Sequence, residues 1–260
     1  MDLSSRSSGL LVERLARAGC VAADEEAGVM IEAAPDAATL EQWLRRREVG
    51  EPLAWITGWT LFTGRRVLVD RGVYVPRRQS EELAVRAAAV LPQSGRALDL
   101  CTGAGAVAVA LRHAAPRATV IGADIDPVAA SCARRNGVTV YLGDLAEPIG
   151  GRCLDVVTAV APYVPTGELR LLPADVQRYE PLIALDGGQD GLDLVRQVVE
   201  AAGSRLGPGG WLLIEVGGEQ DRALAPVLAN AGFDRVERWS DDDGDLRGLA
   251  ARRGDLAPNP

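Results

Sequence analysis

Hydrophobic positions recur at helical spacing through the first part of the chain. Leu10, Leu11, Leu15 and Ala18 share one face, Ala27, Met30, Ile31 and Ala34 a second, and Leu40, Trp43 and Leu44 a third, after a break at Pro35-Asp36. This pattern predicts a small helical bundle over residues 1–48. The pattern then changes. Residues 55–64 read as a hairpin, 67–69 as a strand and 70–72 as a turn, so 49–75 is expected to be a β-hairpin linker. A helix over 80–91 opens the larger domain, expected over 76–260. Strands are predicted over 96–100, 119–124, 138–141, 154–160 and 211–216, with helices over 105–113, 127–136, 192–206 and 221–231. Strands over 236–239 and 249–251 close the chain. Strand and helix in alternation predict an α/β, Rossmann-like fold, a mostly parallel seven-stranded sheet with helices on both faces.

Composition narrows the function classes. The chain has 260 residues, 47% hydrophobic and 25% charged, with a net charge of −8. An acidic chain argues against nonspecific binding to nucleic acid or to acidic membranes. No apolar run reaches the ~20 residues that span a bilayer. The polar start, residues 1–8, lacks the apolar core of a secretion signal. Cys20, Cys101, Cys132 and Cys153 form no C-x-x-C pair, so free thiols in a cytoplasmic protein are expected and no metal site is.

The chemistry begins at Asp99-Leu100-Cys101-Thr102-Gly103-Ala104-Gly105, between a predicted strand and helix. Glycines there let the backbone pass close to a ligand. The dinucleotide fingerprint G-x-G-x-x-G is not met, and the carboxylate of Asp99 would repel a pyrophosphate. It suits the amino group of a methionine moiety. Asp124, at the end of the next strand with Ile125 after it, can accept two ribose hydroxyls. Asp144, followed by Leu145, is placed for an adenine amino group. Three carboxylates after three successive strands form an edge suited to S-adenosylmethionine, with no metal required.

Several further motifs resemble the HemK/PrmC methyltransferases, which methylate the side-chain amide of glutamine in translation release factors. Residues 51–58, Glu-Pro-Leu-Ala-Trp-Ile-Thr-Gly, are similar to that family's E-P-L-x-Y-I-x-G. Residues 75–81, with Arg77, Gln79 and Ser80, are similar to its I-P-R-P-E-T-E. Tyr179-Glu180-Pro181 matches its Y-E-P, and residues 184–192 match its A-L-x-G-G-x-D-G-L. The resemblance covers nearly the whole chain, and implies a substrate-shaping N-terminal domain followed by a cofactor-binding one.

The family's N-P-P-Y, at the end of the fourth strand, reads Val160-Ala161-Pro162-Tyr163 here. The resemblance implies that the asparagine oxygen and the next backbone carbonyl accept the two amide hydrogens and so aim the nitrogen lone pair. Val160 cannot accept a hydrogen bond. A buried N–H left unpaired costs about 1–3 kcal/mol. The expectation drawn from this is a small-molecule acceptor, an aromatic or indole-like ring of secondary metabolism attacked at carbon or nitrogen. Val160, Ala161, Pro162 and Tyr163 would be its catalytic positions. Trp55 and Trp59 would cover the ring, and Tyr74, Arg77, Tyr179 and Glu180 would supply polar contacts. His113, at the far end of its helix, is expected to play no part. Two alternatives stay open, glutamine amide methylation of release factors and a non-catalytic cofactor-binding protein; a homodimer is allowed.

Overall fold

The computed structural model describes residues 3–147, 149–151 and 153–255; Met1 and Asp2 of the polar start lie outside them. Helices α1 (Leu3–Arg17), α2 (Ala23–Ala33) and α3 (Ala37–Glu48) form the N-terminal bundle. Asp36 caps α3 by accepting the Thr39 N–H at 2.7 Å. The bundle has its own core, with Leu15, Ala27, Met30 and Leu44 almost fully buried. Arg14 binds Glu41 and Glu48, and Arg47 binds Glu26, which ties the three helices together laterally.

A short helix α4 (Leu53–Thr57) precedes the hairpin of β1 (Trp59–Phe62) and β2 (Arg65–Leu68). Residues 55–57, expected in the hairpin, are therefore helical. The Trp55 and Ile56 N–H groups donate to the Pro52 carbonyl, and Gly58 at φ +83° ends the turn. A short apolar run does not by itself distinguish helix from strand. Phe62, Val67 and Val69 of the hairpin region pack in one core with Leu83 and Ala87.

The larger unit runs α5 (Ser80–Val90), β3 (Arg96–Leu100), α6 (Ala106–Ala114), β4 (Thr119–Asp124), α7 (Pro127–Arg135), β5 (Thr139–Leu142) and β6 (Leu154–Ala159). After β6 come a 3₁₀ turn (Thr166–Leu171), α8 (Ala174–Tyr179) and a second 3₁₀ turn (Leu182–Ala184). The chain then continues as α9 (Asp193–Arg205), β7 (Leu206–Glu215), α10 (Gln220–Asn230), β8 (Phe233–Ser240) and β9 (Leu246–Arg253). Seven strands form one sheet in the order β5-β4-β3-β6-β7-β9-β8. The first five are parallel, and β9 runs antiparallel to both neighbours. The expected strand over 211–216 begins earlier, at Leu206, because Leu206 pairs with Leu154 and the ladder resumes at Trp211 opposite Val156. The intervening Gly-Pro-Gly-Gly bulges out of the ladder.

From β3 the chain winds to β4 on one side and returns to β6 on the other. The carboxyl ends of β3 and β6 therefore border the crevice in which open α/β sheets bind ligands. Val156, Val157, Thr158 and Ala159 of β6 are all buried, as a central parallel strand requires.

Candidate active site

The turn after β3 is built around Asp99. Its carboxylate is 2% exposed, and accepts the Thr102 hydroxyl at 2.6 Å and the Thr158 hydroxyl at 2.7 Å. It thus lies beneath the turn, with both oxygens engaged by protein hydroxyls. Burial raises its pKa to about 6, against the pull of the two hydroxyls. A carboxyl raised in the folded state costs stability above that pKa, and the cost vanishes below the unfolded value near 4. Asp99→Asn should therefore raise stability at pH 8 by roughly 2–3 kcal/mol while weakening cofactor binding. The stability gain should fade on acidification from pH 6 to 4, which thermal unfolding at several pH values checks together with calorimetric titration of the cofactor.

Asp124, at the end of β4, clasps the same turn. Its Oδ2 accepts the Gly103 N–H at 2.8 Å and its Oδ1 accepts the Asp126 N–H at 2.9 Å. Each oxygen keeps acceptor capacity for a ribose hydroxyl. Gly103 sits at φ +56°, and a Cβ there would meet no protein atom within 4 Å. Protein packing does not demand this glycine, but a ligand lying on the turn would. Ile125 is 55% exposed beside it, an apolar surface open to a purine. Burial, then the charges of Asp124, Asp99 and Asp144, push the Cys101 thiol up. Cys101 (φ 52°) and Leu145 (φ 43°) hold left-handed backbone without being glycine. These features suit a cationic nucleoside cofactor.

A cavity of about 980 Å³ lies between the helical bundle and the carboxyl edge of the sheet. Gly19 and Cys20 line it from one side, Val160 to Tyr163 from the other. Tyr74, Arg77, Gln79 and Tyr179 complete this wall. The loop after β6 is held from behind. Val164 N–H donates to Leu185 O, Gly187 N–H to Val164 O, and Gln220 Nε2 to Tyr163 O. A Cβ at Gly191 would come within 2.2 Å of the Tyr163 carbonyl. The glycine-rich motif at 184–192 thus braces the loop from behind, while its first two residues, Ala184 and Leu185, also border the cavity.

Glu215, at the end of β7, lies outside every sequence motif described above. It is 2% exposed and gathers three donors, the Tyr163 hydroxyl (2.8 Å), Gln79 Nε2 (2.8 Å) and the Ser80 hydroxyl (2.5 Å). A carboxylate closing an otherwise apolar strand was the available signal. Burial, then the Glu215 charge, pushes the Tyr163 phenol far up, so Tyr163 stays neutral and serves as a positioned donor. Arg77 pairs with Glu180, and its guanidinium lies 5.0 Å from the Tyr74 ring centre. Burial raises the Glu180 pKa while Arg77 opposes it.

The two tryptophans do not form a lid. Trp55 is buried, donates from Nε1 to the Val73 carbonyl at 2.9 Å, and packs edge-on to Tyr179. Trp59 instead stacks beneath the Arg66 guanidinium, 4.2 Å away. Neither borders the cavity. The His113 ring contacts the Val109 carbonyl of its own helix.

No family model matches the chain. Curated relatives do. The release factor glutamine methyltransferase of Geobacter sulfurreducens is 37% identical over 215 residues, 80% of this chain and 76% of that protein. The one from Neisseria gonorrhoeae is 39% identical over 203 residues, 74% of this chain and 73% of that protein. The chain belongs to the release factor glutamine methyltransferase (HemK/PrmC) family. It is an S-adenosylmethionine-dependent methyltransferase. Ribosomal protein L11 methylase from Lactobacillus delbrueckii subsp. bulgaricus shares the fold, with a TM-score of 0.52 at 17% identity over 72% of this chain and 85% of that one. A T. thermophilus 16S rRNA N2 G1207 methyltransferase in complex with AdoMet and guanosine also scores 0.52, at 19% identity over 78% of this chain and 46% of that one.

This membership overturns the expectation of a small-molecule acceptor from secondary metabolism. The relatives are named for a protein substrate, and the likeness to them extends over about four-fifths of the chain. An acceptor site is set by every group around the cavity, and Val160 is one of many.

Proposed function

We propose that the chain transfers a methyl group from S-adenosylmethionine to the side-chain amide nitrogen of a glutamine in a translation release factor. The observation that carries this reading is the 37% identity to a curated release factor glutamine methyltransferase across 80% of the chain. The cavity supports it, being roomy enough for a glutamine side chain and the loop that carries it. Such a substrate works where translation runs, so we place the chain in the cytoplasm. No described helix is long and apolar enough to cross a membrane.

The cofactor, when bound, supplies an electrophilic methyl group on a sulfonium. Asp124 would hold the ribose, Gly103 and Ile125 would border the nucleoside, and Asp99 and Asp144 would favour its positive charge. An amide nitrogen is a poor nucleophile because its lone pair is delocalised into the carbonyl. The protein must therefore hold both N–H groups so that the lone pair faces the methyl carbon. On transfer of the methyl group to this nitrogen, the carbon–sulfur electron pair would stay on sulfur. The N-methylated amide then sheds one proton to water, so no strong base is required. Pro162 and Tyr163 shape the wall against which the amide would lie.

Incubation with purified release factor and S-adenosylmethionine should generate S-adenosylhomocysteine in proportion to the release factor supplied. Turnover with free aromatic amines or indoles, and none with release factor, would reject the reading.

A further inference from the structure

The cavity wall contains a further departure from the family motifs, beyond those at Val160 and Ala161. Position 79 is glutamate in I-P-R-P-E-T-E and glutamine here, just as position 160 is asparagine there and valine here. The two residues lie 81 positions apart in sequence, and both line one cavity.

The Gln79 amide has a fixed orientation. Its Nε2 donates to Glu215 Oε1 at 2.8 Å and to the Tyr163 hydroxyl oxygen at 3.0 Å. Tyr163 in turn donates to the same Glu215 oxygen at 2.8 Å. A carboxylate only accepts, so a flipped amide would set Oε1 against Glu215 and lose that bond. Oε1 must therefore face away from Glu215, and among the described residues no hydrogen bond ends on it. The side chain is exposed and borders the cavity. It also forms no capping bond at the start of α5, so the helix does not need it.

We infer that Gln79 Oε1 accepts one N–H of the substrate amide, taking the place of the hydrogen-bond acceptor missing at Val160. The Ala161 backbone carbonyl takes the other. An acceptor pair split between Gln79 and the loop after β6 turns the nitrogen lone pair out of conjugation and toward the methyl carbon. Gln79 is then a catalytic residue of this chain, contacting the substrate directly. Neutral glutamine suits the place, because a glutamate there would set a second carboxylate against Glu215.

The inference rests on the proposed glutamine methylation, and the test separates the two. Release-factor methylation is measured for the wild type, Gln79→Leu, Val160→Asn and the double variant, with cofactor affinity and melting temperature measured for each. Gln79→Leu should lose roughly ten- to a hundredfold in kcat with cofactor affinity unchanged, the cost of one unpaired amide hydrogen. Val160→Asn in the Gln79→Leu background should recover most of that loss, because an acceptor returns to the same substrate hydrogen. A merely structural role for Gln79 predicts no recovery. Full activity in Gln79→Leu, or a loss that Val160→Asn leaves in place, would overturn the inference while the function stands. No release-factor methylation by the wild type would overturn both.

Discussion

Replacing Asp124 by Ala should weaken cofactor binding by roughly a hundredfold or more. A carboxylate that accepts two ribose hydroxyls makes two charge-assisted hydrogen bonds, each contributing about 1.5–3 kcal/mol. The same oxygens also hold the cofactor turn, one through the Gly103 N–H at 2.8 Å and the other through the Asp126 N–H at 2.9 Å. Alanine removes the ligand contact and frees the turn together, so the two losses compound. Asp124→Asn keeps one carbonyl oxygen and should lose less. Isothermal titration with S-adenosylmethionine separates the outcomes. An affinity within a few-fold of the wild type would make Asp124 a fastener of the turn and nothing more.

Replacing Arg77 by Ala should destabilise the fold by about 3 kcal/mol at pH 8, within the range for breaking a buried ion pair from one side. Glu180 is the reason. Its side chain is only 2% exposed, while that of Arg77 is 33% exposed, so the carboxylate cannot turn to water when the guanidinium goes. Its Oε2 is already buried with no hydrogen-bond partner among the described residues. Burial raises the Glu180 pKa in the wild type, and Arg77 is the first group opposing that rise. Without Arg77 the folded pKa climbs further above the unfolded value. A raised carboxyl pKa costs most at pH above it and nothing below the unfolded pKa, so the deficit of Arg77→Ala should shrink as the pH falls toward 4. Chemical denaturation at pH 8 and pH 5 reads this directly. A deficit independent of pH would assign the loss to packing rather than to the uncovered carboxylate.

The alternation of strands and helices was legible because central parallel strands are apolar throughout and their connecting helices are amphipathic. The expected cofactor edge rests on a related local regularity. Asp99 lies near the end of β3, Asp124 ends β4 and Asp144 follows β5, so each can be placed at the carboxyl end of its strand from local pattern alone. The acceptor side was not legible in that way. Gln79 and Glu215 meet across 136 residues, and no local pattern joins them. Trp55 and Trp59 looked paired in the sequence, but a helical turn ending at Gly58 sends them to different places. Val160 was read correctly as unable to accept a hydrogen bond. The small-molecule expectation is overturned by the relatives, which are named as release factor glutamine methyltransferases.

The central claim is that the methyl group goes to a glutamine side-chain amide of a protein. Tandem mass spectrometry of peptides from a release factor, after reaction with this enzyme and S-adenosylmethionine, tests it most directly. The account predicts one added methyl group, located by fragmentation on the side-chain nitrogen of a single glutamine. A methyl group on another residue type, or an unmodified release factor alongside active turnover of some other acceptor, would contradict it.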